Sequence, residues 1–434
     1  MVTPEERTKI GWRTAATVVV ANMIGTGVFT SLGFQLESVS STWSIVLLWL
    51  IGGIMALIGA LIYAELGTHF RKSGGDYVFL SETVHPLMGY LYAWTSLTVG
   101  FSAPIAIAAM AMVYYLKPIL TPDNSLLFGV LLIIVVSIFH SFSVKNSGRF
   151  HVALTVIKML FALAIGFAGF MLAPHEPNSV DVISPWTHEI ILPGFAVSLI
   201  YVSYAYTGWN SAAYIIEEID KPQRNLPKAL LTGTLFVTVV YILIQLTFLR
   251  LSPKDSLVGQ VDVALIAFQN IDSGKWTPWI SALISFQLIS TISGYVWIGP
   301  RITYSMARDY KIWKGLSKTN PSGVPVRALW FNSAISIILL VSGSFEQILL
   351  YASFVLQLMG TLTIASSLTV KLQEGNFRAP FRPLLPLIYI LFSLWILGYT
   401  LYERPKESFI GIALMALGAI IYTRDKKHHQ HISH

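Results

Sequence analysis

Cysteine is absent from the 434-residue chain. That excludes disulfides, thiolate-ligated zinc, iron–sulfur clusters and thiol catalysis, together with any subunit held through a disulfide. Charge is the next scarcity. Asp, Glu, Lys and Arg make up 12% of the residues, about half of a soluble domain's usual share. A folded chain of this length needs polar side chains to cover its surface in water. A soluble enzyme, a nucleic-acid-binding protein and a disordered chain are therefore all excluded. No Ser/His/Asp set, HExxH or Walker-type loop is present, so no catalytic residue, metal or cofactor is expected.

What remains is apolar. Hydrophobic residues are 54% of the chain and the mean hydropathy is +0.64. A helix that spans a bilayer needs about 20 mostly apolar residues. Twelve such runs occur, near 13–36, 43–66, 86–116, 125–143, 151–173, 190–216, 228–249, 274–306, 328–343, 346–370, 383–402 and 407–422. The junction at 343–346 is the least marked boundary. The opening residues, MVTPEERTKIGWRTAA, mix acids with bases and carry no cleavage site. They read as a cytoplasmic tail before a retained helix. The bilayer is thus the chain's first partner.

The net charge is +7, and in a membrane protein excess Lys and Arg gathers in cytoplasmic loops. With the N-terminus inside, 22 of the 29 Lys and Arg fall in cytoplasmic segments and 6 outside; the one left, Lys158, lies within a helix. Both termini are then cytoplasmic. Segments 221–228 and 308–327 are inside, and the acidic stretch 174–189 is outside. Proline-rich 378–386 separates ten helices from a final pair. Four His in the last seven residues read as a solvated tail, since nothing there fixes ligand geometry.

Two helices are predicted to be interrupted. The first contains Asn22, Met23, Ile24, Gly25, Thr26 and Gly27. Two glycines beside a Thr near mid-membrane allow unwinding. Lipid does not tolerate unpaired peptide groups, so such a break survives only where it lines a polar cavity. Freed N–H groups can hold a carboxylate and freed carbonyls an ammonium. Close helix packing through small residues is the other reading. The sixth helix carries a counterpart in Tyr204, Ala205, Tyr206, Thr207, Gly208, Trp209 and Asn210. Breaks at positions one and six are what an inverted repeat of five plus five helices requires.

Lys158 lies about 10 Å into the fifth helix, taking 1.5 Å per residue. A buried Lys costs about 2.5–3.5 kcal/mol on insertion scales, which favours a functional role. Snorkelling to the cytoplasmic interface is the alternative. Inside the bundle, its ammonium would look to carbonyls of the first helix or to the hydroxyls of Ser290, Thr291 or Ser293. Tyr241 and Gln245, one turn apart, are placed to join the two halves or to face lipid. Glu65, Glu217 and Glu218 sit at the cytoplasmic edge, where pairing with loop Arg and Lys is expected.

These residues resemble a known group. IGTGVF is similar to the G-[ST]-G motif of the amino acid–polyamine–organocation superfamily, and YAYTGWN with EEIDKPQRNLPKAL resembles its helix-six segment and the following loop. VIKML and VYILIQL look like the L-type amino acid transporter branch. The resemblance covers helices one to ten. It implies an all-α membrane protein of twelve transmembrane helices. These would form a LeuT-type inverted repeat, 1–180 and 190–370, with an added pair at 380–423 and a tail at 424–434. It implies alternating access, with helices 1, 2, 6 and 7 rocking against the rest. By position, the Gly25, Thr26 and Gly27 amides would take a substrate carboxylate. Carbonyls of Met23, Tyr204, Ala205 and Thr207 would take the α-ammonium, and Tyr204 would gate the site. Lys158 would stand where sodium-coupled relatives hold sodium. Tyr241 would join its network, with Thr291 beside it. L-type members often have Gly in place of Thr207 and Phe in place of Tyr204, which opens the question of side-chain preference.

The expected function is sodium-independent transport of neutral L-amino acids, by exchange or with a proton, across a cell (inner) membrane; the lack of Cys and the short loops are compatible with a prokaryotic one. The alternatives are a cationic amino acid or polyamine permease, which would want a carboxylate in mid-span, and a membrane amino acid sensor, which would want a further soluble domain.

Overall fold

The computed structural model describes residues 9–117, 124–142, 144–172, 186–269, 271, 277–371 and 374–425, with the backbone alone over 144–155. The His-rich tail and most of the 174–189 stretch lie outside the described residues. The elements in order are α1 (Trp12–Met23), α2 (Gly27–Thr30), α3 (Leu32–Gln35), α4 (Thr42–Phe70), α5 (Asp76–Thr83) and α6 (Pro86–Thr95). A π-helical segment (Ser96–Phe101) leads into α7 (Ser102–Tyr115), then α8 (Ser125–Phe142), α9 (Val144–Met171), α10 (Trp186–Glu189) and α11 (Pro193–Ala205). A 3-10 segment (Ser211–Glu218) precedes α12 (Pro222–Leu251), α13 (Lys254–Leu257), α14 (Val263–Gln269) and α15 (Thr277–Asp309). A second 3-10 segment (Lys311–Ser317) is followed by α16 (Val326–Ser342), α17 (Phe345–Ser367), α18 (Leu384–Glu403) and α19 (Pro405–Arg424). No strand occurs among the described residues.

Eight helical stretches are long and apolar enough to cross a bilayer, α6 to α7 counting as one. Three shorter apolar helices lie at Val156–Met171, Pro193–Ala205 and Val326–Ser342. Among the described residues, each of the twelve apolar runs is helical over most of its length. The boundary at 343–346 is real: Gly343 is extended, and Ser344 opens α17 with a reciprocal capping box to Gln347, which satisfies end groups of the helix. Helix α12 starts at Pro222, ahead of its apolar run, because Pro is well suited to the first helical turn. The third run is not one α-helix. Pro104 has no N–H for the carbonyl one turn back; the backbone widens into the π segment just before it, and Ser102 Oγ donates to the Leu97 carbonyl at 2.7 Å.

Helix α12 packs on α1, α4 and α9; α11 packs on α4 and α17. Helix α15 packs on α7, α8 and α9, while α7 also contacts α16 and α17. Helices α1 and α9 touch, as do α17 and α4. The last pair is peripheral: only 17% of the apolar window of α19 is buried, leaving Phe409, Ile410 and Ile420 exposed, as suits a lipid-facing helix.

Candidate substrate site

The first run is broken at residues 24–26. Helix α1 ends at Met23, Ile24 turns extended at ψ 99°, and helix resumes at Gly27. The N–H groups of Gly25, Thr26 and Gly27 donate to no protein acceptor among the described residues. A Cβ on Gly27 would lie 2.7 Å from Ala205 Cα, so glycine here lets the second half of the first run touch α11. At Gly25 the nearest atoms would be the Met23 carbonyl at 3.7 Å and Thr291 Cγ2 at 3.9 Å, ordinary contacts.

The second break falls at 206–210, two residues later than the sequence suggests. Tyr204 and Ala205 are still helical, and Gly208 carries the turn at φ +100°. A side chain there would meet the Asn22 carbonyl at 2.7 Å, so both the conformation and the close approach require glycine. The two breaks therefore lie against each other.

Tyr241 ties them together. Its hydroxyl lies 2.5 Å from the Met23 carbonyl and 3.0 Å from that of Ala205, in position to donate to either. Its ring stands edge-on to Trp49 and Tyr206. One turn on, Gln245 Nε2 donates to the Val28 carbonyl at 2.9 Å. Tyr241 and Gln245 thus join the halves and do not face lipid. The Tyr204 carbonyl accepts from Thr207 N at 2.9 Å and Thr207 Oγ1 at 2.7 Å. Three of the four carbonyls assigned to an ammonium already accept hydrogen bonds: those of Met23 and Ala205 each keep a second lone pair, and that of Tyr204 has both engaged by Thr207. The Tyr204 side chain interacts with Thr26, and that of Tyr295 with Thr207.

Lys158 is buried at 3% exposure, so it does not snorkel. It lines a small cavity with Asn22, Ile24, Gly25, Ser290, Thr291 and Tyr295. No ion pair or protein hydrogen bond to its ammonium occurs among the described residues. Ser290 Oγ is also buried without a partner. Ser293 is turned away and pairs with His140 Nε2 at 2.8 Å, so it is not an acceptor for Lys158. The cavity holds about one water-sized sphere and no carboxylate lines it. Glu65 behaves as an edge residue, accepting from Ala379 N at 2.8 Å and approaching Arg382 at 3.5 Å. Sequence reasoning missed Tyr295, although it sits one turn from Thr291 on the same face. It also missed His140 and Asp76.

The profile described as "Amino acid permease" matches residues 10–424, nearly the whole chain. The chain belongs to the amino acid permease family. Within the amino acid–polyamine–organocation superfamily, this permease is similar to several characterised proteins. It is 27% identical over 433 residues to the large neutral amino acids transporter small subunit 2 of Oryctolagus cuniculus, covering 95% of the permease and 79% of that protein. It is 28% identical over 429 residues to the b(0,+)-type amino acid transporter 1 of Mus musculus, covering 95% and 87%. With the Asc-type amino acid transporter 1 of Mus musculus it shares 25% over 428 residues, 95% and 80% of the two chains. The permease is a multi-pass membrane transporter and not an enzyme.

Proposed function

We propose that the permease carries neutral L-amino acids without sodium, by exchange or with a proton, through alternating access. The observation that carries this reading is the buried Lys158 in one cavity with the break at Gly25. A fixed ammonium there supplies the positive charge that a sodium ion would otherwise bring, so no cation need enter with the substrate. The unbonded amides of Gly25, Thr26 and Gly27 suit a carboxylate. The carbonyls of Met23, Ala205 and Thr207 suit an α-ammonium, whereas that of Tyr204 already accepts twice from Thr207. The cavity lacks an acidic residue to match a cationic side chain, which supports a neutral one.

The helix packing supports an inverted repeat of five plus five. Exchanging each helix of the first half with its counterpart in the second turns α1–α12 contact into α11–α4, α9–α12 into α17–α4, and α15–α9 into α7–α17. It also turns α1–α9 into α11–α17 and α16–α7 into α8–α15. All ten contacts occur. The eight long stretches, the three shorter helices and the interrupted first run together make twelve crossings. The repeats would be 1–180 and 190–370, followed by the pair at 380–423. Among the described residues, ion pairs join segments assigned to the same side: Glu37 and Glu346 meet Arg404 at 3.7 and 3.1 Å outside, and Glu65 meets Arg382 inside. This supports the alternation of loops between two sides; the cytoplasmic placing of both termini rests on the Lys and Arg count.

Uptake of labelled neutral amino acids into proteoliposomes, with and without sodium, tests the reading. Equal uptake in both is expected. Strict sodium dependence would overturn the role of Lys158, and absence of any amino acid flux would overturn the function.

A further inference from the structure

One buried carboxylate is used by nothing described so far. Asp76 opens α5 and is 1% exposed. Its Oδ1 accepts from the Tyr63 hydroxyl and from Thr363 Oγ1 at 2.7 Å. Its Oδ2 accepts from the Tyr214 hydroxyl at 2.5 Å and lies 3.5 Å from Asn210 Nδ2. Tyr214 in turn bonds to the Tyr92 hydroxyl and accepts from Asn210 at 3.2 Å. No Lys or Arg pairs with Asp76 among the described residues. Burial pushes its carboxyl above the ordinary value, and the hydrogen bonds from Tyr214, Tyr63 and Thr363 offset only part of that rise.

The donors come from separate elements. Tyr63 is on α4, Tyr92 on α6 and Thr363 on α17, while Asn210 and Tyr214 belong to the second break and the 3-10 segment after it. The preceding glycines shape the cradle. Gly75 has φ +54°, and a Cβ on it would lie 2.4 Å from Tyr214 Cε1, so the Tyr214 ring rests directly on the backbone before Asp76. Sequence Gly74, Gly75, Asp76 is thus a seat for one tyrosine and an acceptor for its hydroxyl.

A buried carboxylate without a cation is expensive, and here it is stabilised only while all these elements stay together. We propose that Asp76 is a positioning residue that latches the segment after the second helix break to α6 and α17 on the cytoplasmic side, and must release it each time the site opens inward. The proposal rests on the alternating-access reading, in which α4 and the segment 211–218 move against α6 and α17. Hydrogen bonds to a charged group are roughly twice as strong as neutral ones, enough in combination to hold the closed form yet break within a transport cycle.

The absence of cysteine makes the test direct. Nitroxide labels on Arg224→Cys, at the start of α12, and Thr369→Cys, just after α17, report the separation of the two groups in the full-length protein in nanodiscs. Asp76→Asn keeps the size of the side chain but has one acceptor oxygen where two are used. It is expected to move the closed-to-open ratio by at least about tenfold toward longer distances, the weight of a single such hydrogen bond. Tyr214→Phe keeps the ring on Gly75, removes one donor, and is expected to move the ratio the same way by less. Asp76→Glu, which keeps the carboxylate, should fall closer to the parent than Asp76→Asn. Neutral amino acid exchange should show lower turnover with unchanged substrate affinity. Parent-like distances in both Asp76→Asn and Tyr214→Phe would overturn the latch; should Asp76→Asn not fold, parent-like distances in Tyr214→Phe alone do so. A parent protein that moves no amino acid defeats the transport reading instead, and the label distances still decide whether Asp76 holds these elements.

Discussion

At the scale of residues, the site rests on four side-chain or backbone choices whose removal should have different signatures. Lys158→Ala takes away a costly buried charge, so the variant should fold at least as stably as the parent, yet transport should fall at least about tenfold if the ammonium shapes the site; proteoliposome flux beside a thermal melt checks both. Gly27→Ala forces a methyl into Ala205, and overpacking of this kind costs about 1–3 kcal/mol, visible as a lower Tm. Gly25→Ala meets only ordinary contacts, so its Tm should match the parent while its KM rises, because the added methyl points toward Thr291 in the cavity. Tyr241→Phe leaves the Met23 and Ala205 carbonyls without the hydroxyl between them, a loss of about 1–3 kcal/mol that a denaturation series on the detergent-solubilised protein would read. Lys158 and the glycines are legible in the sequence because a charge, or a helix breaker, stands out in an apolar run. Asp76 is not, because its partners come from four elements spread over residues 63 to 363. Ser293 is misread for a related reason: sequence places it on the helix but not on the face toward His140.

At the scale of elements, hydropathy finds where helices are and says less about how they end. The break in the sixth run is displaced to 206–210 because propensity cannot tell which residue takes the turn; the left-handed Gly208 does. The π segment and the early start of α12 follow from Pro104 and Pro222, local chemistry that an apolar count ignores. Helix α4 begins with a cap that sequence alone does not reveal. Glu189 accepts from Ser40 N at 2.9 Å, Ser40 Oγ at 2.6 Å and Ser41 N at 3.1 Å. Burial pushes this carboxyl up, but the Ser40 and Ser41 hydrogen bonds outweigh it and hold it below its ordinary value. A carboxyl lowered by folding stabilises the native state above its unfolded value, and that contribution fades as pH falls through the folded one. Glu189→Gln should therefore cost about 1 kcal/mol near neutrality. The parent's Tm should then drop more steeply than the variant's between about pH 5 and pH 3, around the free carboxyl value. Parallel pH profiles would contradict this cap.

At the scale of the whole molecule, the proposed alternating access assigns the closing of the site to two polar clusters. On one side Arg404 meets Glu346 and Glu37, and Tyr201 donates to Glu346 at 2.9 Å. On the other stands the Asp76 cluster. The cavity holds about one water-sized sphere, too little for an amino acid, and in the proposed cycle it widens when one cluster parts. The twelvefold pattern of apolar runs is visible in sequence, whereas the proposed mirroring of the two halves rests on helix contacts. The central claim is that peptide groups freed at the two breaks grip both charged ends of one small zwitterion. Counterflow in sodium-free proteoliposomes, comparing L-alanine with its carboxamide and its N-acetyl derivative, tests it most directly. L-Alanine should exchange and neither blocked analogue should compete; analogues that compete as well as L-alanine would contradict the account.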